Sequence, residues 1–182
     1  MLRSRSLAMN IYNLSIDLNT DPINQDRLNR IAYYMIQAEL VKLRGTCKKQ
    51  QVGCVLTHQN RIISTGYNSS HPGTPHCAER IEDCLSDING RCRKVMHAEI
   101  SALSELKDNY KEEGFTAYLT HHPCSQCYQA LCLWGCKEVY YRVPYFSNED
   151  DERVFKTLQG AIKVPTIQVK FSTEFFPIRF TQ

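Results

Sequence analysis

The sequence predicts an α/β domain: a mixed central sheet of about five strands, with helices on both faces. Three observations carry this. Two short β-branched runs separated by Gln59-Asn60 have the pattern of a hairpin. After them, helical and strand periodicities alternate to the end of the chain. The 182 residues show no repeat, low-complexity stretch or linker, so a single domain is expected over residues 21–182, long enough to bury a real core.

Taken in order, residues 1–20 contain arginines but no apolar h-region, and read as a short disordered arm rather than a secretory signal. Residues 21–44 read as one long helix. Leu28, Ile31, Ala32, Met35, Ala38 and Val41 recur at helical spacing, and Gly45 is placed to end it. Residues 51–58 (QVGCVLTH) and 61–66 (RIISTG) are the hairpin strands. An insertion at about 69–93 follows, rich in Gly, Pro, Ser and Asp and carrying Cys77, Cys84 and Cys92. An irregular stretch of that length inside a domain needs something to tie it down. Beyond it the pattern gives a helix at 97–107, a strand at 116–120 and a helix at 125–134. A strand at 138–143, a helix at 150–158 and a strand at 166–171 complete the chain.

Composition narrows the function. A hydrophobic content of 42% and a charged content of 23% are those of an ordinary globular domain. The net charge of +3 suits an anionic small molecule and is too slight for a nucleic-acid coat. No run of about 18 apolar residues exists, which argues against a membrane span. Nine cysteines, an odd number, without an export signal point to metal binding before disulfides. The expected location is the cytoplasm, or the host cytoplasm for a viral chain.

The chemistry concentrates in two places. His97 and Glu99 stand two apart at the start of a helix, where both can face one small volume. After 23 more residues comes Pro123-Cys124-Ser125-Gln126-Cys127, again at a strand-to-helix junction. One imidazole and two thiolates leave a fourth tetrahedral position for water, the pattern of a catalytic zinc site. Helix N-termini add positive potential that favours thiolates. Glu99 is not needed as a ligand, and its natural task is to carry a proton. Cys54, in an apolar strand, and Cys132 and Cys136 read as small buried hydrophobes.

This H-x-E…P-C-x-x-C pattern resembles the zinc-dependent cytidine deaminase superfamily, whose signature it is. Val52-Gly53-Cys54-Val55, the run IISTGYNS at 62–69 and Val139-Tyr140-Tyr141 make it more similar to the deoxycytidylate (dCMP) deaminase branch. The resemblance covers roughly residues 27–145. It implies a three-layer α/β/α cytidine deaminase-like fold and hydrolytic deamination of dCMP to dUMP and ammonia, in the supply of dTMP. Zinc hydroxide would attack C4 of the ring, with Glu99 as proton shuttle. Asn68 would hold the sugar or phosphate, and Tyr145 resembles a tyrosine near the nucleotide site. A second, structural zinc is implied on Cys47, Cys77, Cys84 and Cys92, with His71 or His76 as substitutes. Arg93, Lys94 and Arg142 are candidate phosphate contacts.

Some features depart from the branch. Ser101 stands where Asn is common, with fewer hydrogen-bonding options for a base or ligand. Acidic Glu105 and Asp108 occupy the helix face that in phage-type relatives is tied to dCTP activation and dTTP inhibition, and they would repel a triphosphate. The family further implies a homo-oligomer, commonly a hexamer. Competing substrates are dCTP, 5-modified dCMP, free cytosine, a riboflavin-pathway pyrimidine and a tRNA adenosine. Nucleic acid is disfavoured by the small charge. Outside the enzymes, the alternative is a zinc-stabilised binding module.

Overall fold

The computed structural model describes residues 15–17, 29–47, 49–77, 92, 94–107, 109–146 and 148–170. Cys84, Arg93 and Asp108 lie outside them. Helix α1 (Arg30–Lys42) begins later than the hydrophobic spacing suggested. Asn29, in extended conformation, accepts a hydrogen bond from the Ala32 N–H at 2.8 Å and caps the helix there. Then come strands β2 (Gly53–His58) and β3 (Arg61–Tyr67). Their connection uses positive φ at both Gln59 (45°) and Asn60 (62°), as the right-handed twist of a two-residue hairpin requires.

Two very short strands, β4 (Ser69–Ser70) and β5 (Val95–Met96), pair antiparallel, so the two ends of the insertion meet beside the start of α2 (Ala98–Ser104). Helix α2 is shorter than the expected 97–107, and a single turn, α3 (Tyr110–Glu113), follows it. Strand β6 (Phe115–His121), helix α4 (Ser125–Leu133), strand β7 (Cys136–Val143), helix α5 (Glu149–Ile162) and strand β8 (Thr166–Lys170) then alternate as expected. The edge strand β1 (Ser15–Asp17), absent from the sequence reading, lies parallel to β8.

Among the described residues the main sheet has the order β1-β8-β7-β6-β2-β3. Strands β6, β7, β8 and β1 run parallel, while β2 is antiparallel to both β6 and β3. The five expected strands are all present, with β1 as a sixth. Alternation along β2 splits the core. Val55 faces α1 and packs with Met35, Ala38, Tyr118 and Val169. Cys54 and Leu56 face the other way, against Ala98, Ala102 and Leu103 of α2 and Leu131 of α4. Helices thus cover both faces, giving three layers. The buried Cys54 and Cys136 are part of this second cluster, as small apolar residues. Among the described residues, no helix is long and apolar enough to cross a membrane.

Glycines set how closely the helices approach. A Cβ on Gly53 would sit 2.2 Å from the Ala38 carbonyl of α1, and one on Gly66 would sit 2.2 Å from the Ala98 carbonyl of α2. These contacts bring the start of α2 onto the sheet beside the end of β6, where α4 also begins. Ligands of open α/β sheets gather at the same carboxyl ends of strands.

Candidate metal centre

His97 and Cys124 are equivalent in their helices. Each is the N-cap residue, in extended conformation (φ −69° and −67°), and neither side chain makes a capping bond. Neither side chain is turned back onto its own helix, and the two approach each other. Glu99 falls in the first turn of α2 and Cys127 in the first turn of α4, so two short helical turns deliver four chemical groups to one place.

The His97 Nδ1 atom lies 3.7 Å from Cys124 Sγ and 3.3 Å from Cys127 Sγ, and the three ligand atoms fall within 4.8 Å of one another. A tetrahedral zinc with ordinary Zn–N and Zn–S bonds holds nitrogen and sulfur about 3.6 Å apart. The triad fits zinc in spacing and in donor chemistry. Both cysteines are buried, and His97 is the exposed member. The thiols share their protons unevenly. A hydrogen bond from Cys127 holds Cys124 down at about 4, and that same bond, with burial, pushes Cys127 well up.

Glu99 is 4% exposed and hydrogen-bonds Cys127. Burial raises its proton affinity, partly offset by His97. A carboxyl held this way, beside the ligands and not among them, is suited to accept a proton and return it.

Glu99, His97 and Cys124 line a cavity of about 190 Å³ that also touches Asn68, Tyr145, Cys47 and Cys92. The size suits a base and part of a sugar. Asn68 is 7% exposed, and its amide is already engaged: Oδ1 accepts from Val52 N–H at 2.8 Å and Nδ2 donates to the Gln50 carbonyl at 2.7 Å. It holds the cavity wall in shape. Tyr145 lines the cavity.

Other expected contacts are placed differently. Ser101 sits in the body of α2, its N–H bonded to the His97 carbonyl and its own carbonyl to the Ser104 hydroxyl, and it does not line the cavity. Arg142 is paired with the buried Glu39 at 2.8 Å, on the α1 side of the sheet. Lys94 is not among the lining residues either.

The cysteines proposed for a second metal are free thiols where described. Cys77 is buried beside the Ser70 hydroxyl at 3.7 Å. Among the described residues, Cys47, Cys77 and Cys92 do not converge as His97, Cys124 and Cys127 do.

Sequence reasoning missed Lys49, His121 and His122, all of which line the cavity. His122 is enclosed by Tyr141, Phe146 and Phe155 at 4.3–4.7 Å between ring centroids. The signal was in plain view: two histidines immediately before Pro123-Cys124.

Comparison with known proteins agrees with this geometry. Residues 28–143 match the family model described as the cytidine and deoxycytidylate deaminase zinc-binding region. ComE operon protein 2 of Bacillus subtilis is 33% identical over 145 residues, covering 79% of this chain and 74% of its own. The deoxycytidylate deaminase of Schizosaccharomyces pombe is 33% identical over 67% of this chain, which spans only 39% of that longer protein. Among solved structures, the dCMP deaminase of cyanophage S-TIM5 in complex with dCMP and dUMP superposes with a TM-score of 0.55 at 27% identity. That match covers 78% of this chain and 95% of the phage chain. With the matched region enclosing the whole triad and Glu99, the chain belongs to the zinc-binding family of cytidine and deoxycytidylate deaminases, and it is a nucleotide deaminase.

Proposed function

We propose that this protein hydrolyses dCMP to dUMP and ammonia, in the supply of deoxyuridylate for dTMP. The observation that carries the proposal is the buried Glu99 beside the His97–Cys124–Cys127 triad, lining a cavity whose size suits a base and part of a sugar. The likeness to a phage enzyme solved with dCMP and dUMP supports the choice of base and phosphate. Zinc, when bound, supplies a Lewis acid that makes water acidic near neutral pH. Glu99 takes the proton released as water adds to C4, delivers it to N3, and carries a second to the departing amino group. Atoms balance as dCMP plus water giving dUMP plus ammonia. Asn68 keeps one free N–H and one free lone pair, enough for a sugar or phosphate contact while it holds residues 50–52. Tyr145, which also lines the cavity, is a second candidate contact.

The test is ammonia release from dCMP, dCTP, 5-methyl-dCMP, cytidine, cytosine and a tRNA anticodon stem-loop. Preferred turnover of dCMP is expected, and no turnover of any nucleotide removes the proposal. Glu99→Gln should keep its zinc while the rate falls by about 10²–10⁴-fold. Retained activity rules out Glu99 as the proton carrier.

A second, structural zinc on Cys47, Cys77, Cys84 and Cys92 is the companion proposal, supported by the free thiols of Cys47, Cys77 and Cys92 and by the β4–β5 pairing that closes the insertion. Two zinc ions per chain by elemental analysis is the expected result, against one. Assembly into a homo-oligomer is a further proposal, as is the lack of control by dCTP and dTTP, since acidic Glu105 and Asp108 would repel a triphosphate. Light scattering and rates measured with each triphosphate decide them.

A further inference from the structure

Asp151 is a carboxylate almost closed to water, 4% exposed, in the first turn of α5. Its own N–H is capped by Asn148 Oδ1 at 2.8 Å. Its Oδ1 receives two hydrogen bonds from the first residue of α4: the Ser125 N–H at 3.1 Å and the Ser125 hydroxyl at 2.6 Å. Ser125 directly follows Cys124, the N-cap residue whose own side chain makes no capping bond. One of the N–H groups left without a partner in the first turn of α4, that of Ser125, is thus satisfied from another helix. One turn along α5, Phe155 stands edge-on to His122 at 4.3 Å and packs on Tyr128 at 4.8 Å. Asp151 and Phe155 are four residues apart on one face of α5. Between them they grip the chain on both sides of Cys124.

We infer that Asp151 is a positioning residue for the metal centre, holding the N-terminus of α4 through Ser125 so that Cys124 and Cys127 keep their geometry toward the metal. Docking two helices needs no charge, and apolar residues do it without the cost of burying a carboxylate. A carboxylate at this spot instead satisfies the orphan N–H of Ser125, takes its hydroxyl as well, and fixes which way the ligand loop enters the helix. Outer-shell partners of this kind set metal affinity in other sites. The inference rests on the metal triad and is independent of which nucleotide is turned over.

The test uses the full-length, zinc-loaded protein and two readouts: the rate of zinc release to a chromophoric chelator, and the visible absorption bands of the cobalt-substituted form. Asp151→Ala should release zinc about tenfold faster or more and shift the cobalt bands. Asp151→Asn keeps an acceptor oxygen for the Ser125 N–H and should stay within a few-fold of the parent. Asp150→Ala, at an exposed neighbour paired with Arg153, is the control and should change neither readout. A purely structural pin would lower the melting temperature of Asp151→Ala while leaving zinc release and cobalt bands unchanged, and that result overturns the inference. Should Asp151→Ala not fold, Ser125→Ala decides. Faster release supports the positioning role, and release at the parent rate overturns it.

Discussion

Asn68 was expected to touch the nucleotide, and the structure gives it a prior duty to the backbone of Gln50 and Val52. Asn68→Ala removes two bonds worth about 1 kcal/mol each, so a loss of about 2 kcal/mol in denaturant unfolding is expected. KM for dCMP should rise more than kcat falls, because the wall moves while Glu99 stays. Equal stability with a raised KM would instead reduce Asn68 to a substrate contact. A pH dependence belongs to His121. Burial, then the nearby Lys42 and Arg142, lower its proton affinity, with Glu39 opposing. The unfolded chain therefore takes up this proton first. Stability from His121 is complete above about pH 6.5 and is lost as pH falls through the lowered folded value. His121→Gln should show a shallower loss of stability between pH 7 and 5, and an unchanged acid slope excludes this origin. His97, Glu99, Cys124 and Cys127 were legible because their spacings encode helix starts, and a helix start fixes where a side chain points. Arg142 was not, since the Glu39 that claims it lies 103 positions away.

At the scale of elements, close helix-on-sheet contact decides where His97 and Glu99 stand. On Gly66 a Cβ would meet the Ala98 carbonyl at 2.2 Å and the Ala102 N at 2.4 Å, both backbone atoms of α2. Gly66→Ala must displace the helix that carries Glu99 and follows His97. A cost of about 1–3 kcal/mol and weaker zinc binding are expected, read by thermal melting and chelator competition. Gly160→Ala, in α5 with nothing within 4 Å, is the matched substitution, and should be stabilising by up to about 1 kcal/mol. If both variants behave alike, α2 is not held by this contact. The elements themselves were largely readable, because β2, β3, β6, β7 and β8 have enough length for a periodic signal. The three residues of β1 and two each of β4 and β5 do not. Their pairing is created by neighbours: β8 offers its free edge to β1, and the closing insertion brings β4 to β5. The start of α1 moved for a local reason, since apolar spacing persists through residue 28 while the Asn29 side chain stops the helix.

Across the whole molecule, the metal triad is a cross-link. It joins His97 to thiols 27 and 30 positions away, and so ties the end of the insertion and α2 to the β6–α4 junction. Those segments belong to different elements, β5 and α2 on one side and β6 and α4 on the other, so a bound zinc resists their separation and stabilises the fold by mass action. Each tenfold rise in buffered free zinc above the dissociation constant adds about 1.4 kcal/mol. For a chain of this size that is about 3–5 °C in melting temperature. Zinc also binds thiols of the unfolded chain, which lowers the slope, so the variant comparison carries the decision. Glu99→Gln, which keeps all three ligands, should retain the full zinc dependence of melting although it has lost turnover. Cys124→Ser should lose most of it. A melting temperature that ignores free zinc in the parent protein, or a zinc dependence that survives Cys124→Ser unchanged, would show that the triad does not hold the fold together. The expected pattern separates the two duties of the site: the ligands bind the metal and brace the domain, while Glu99 serves the reaction alone.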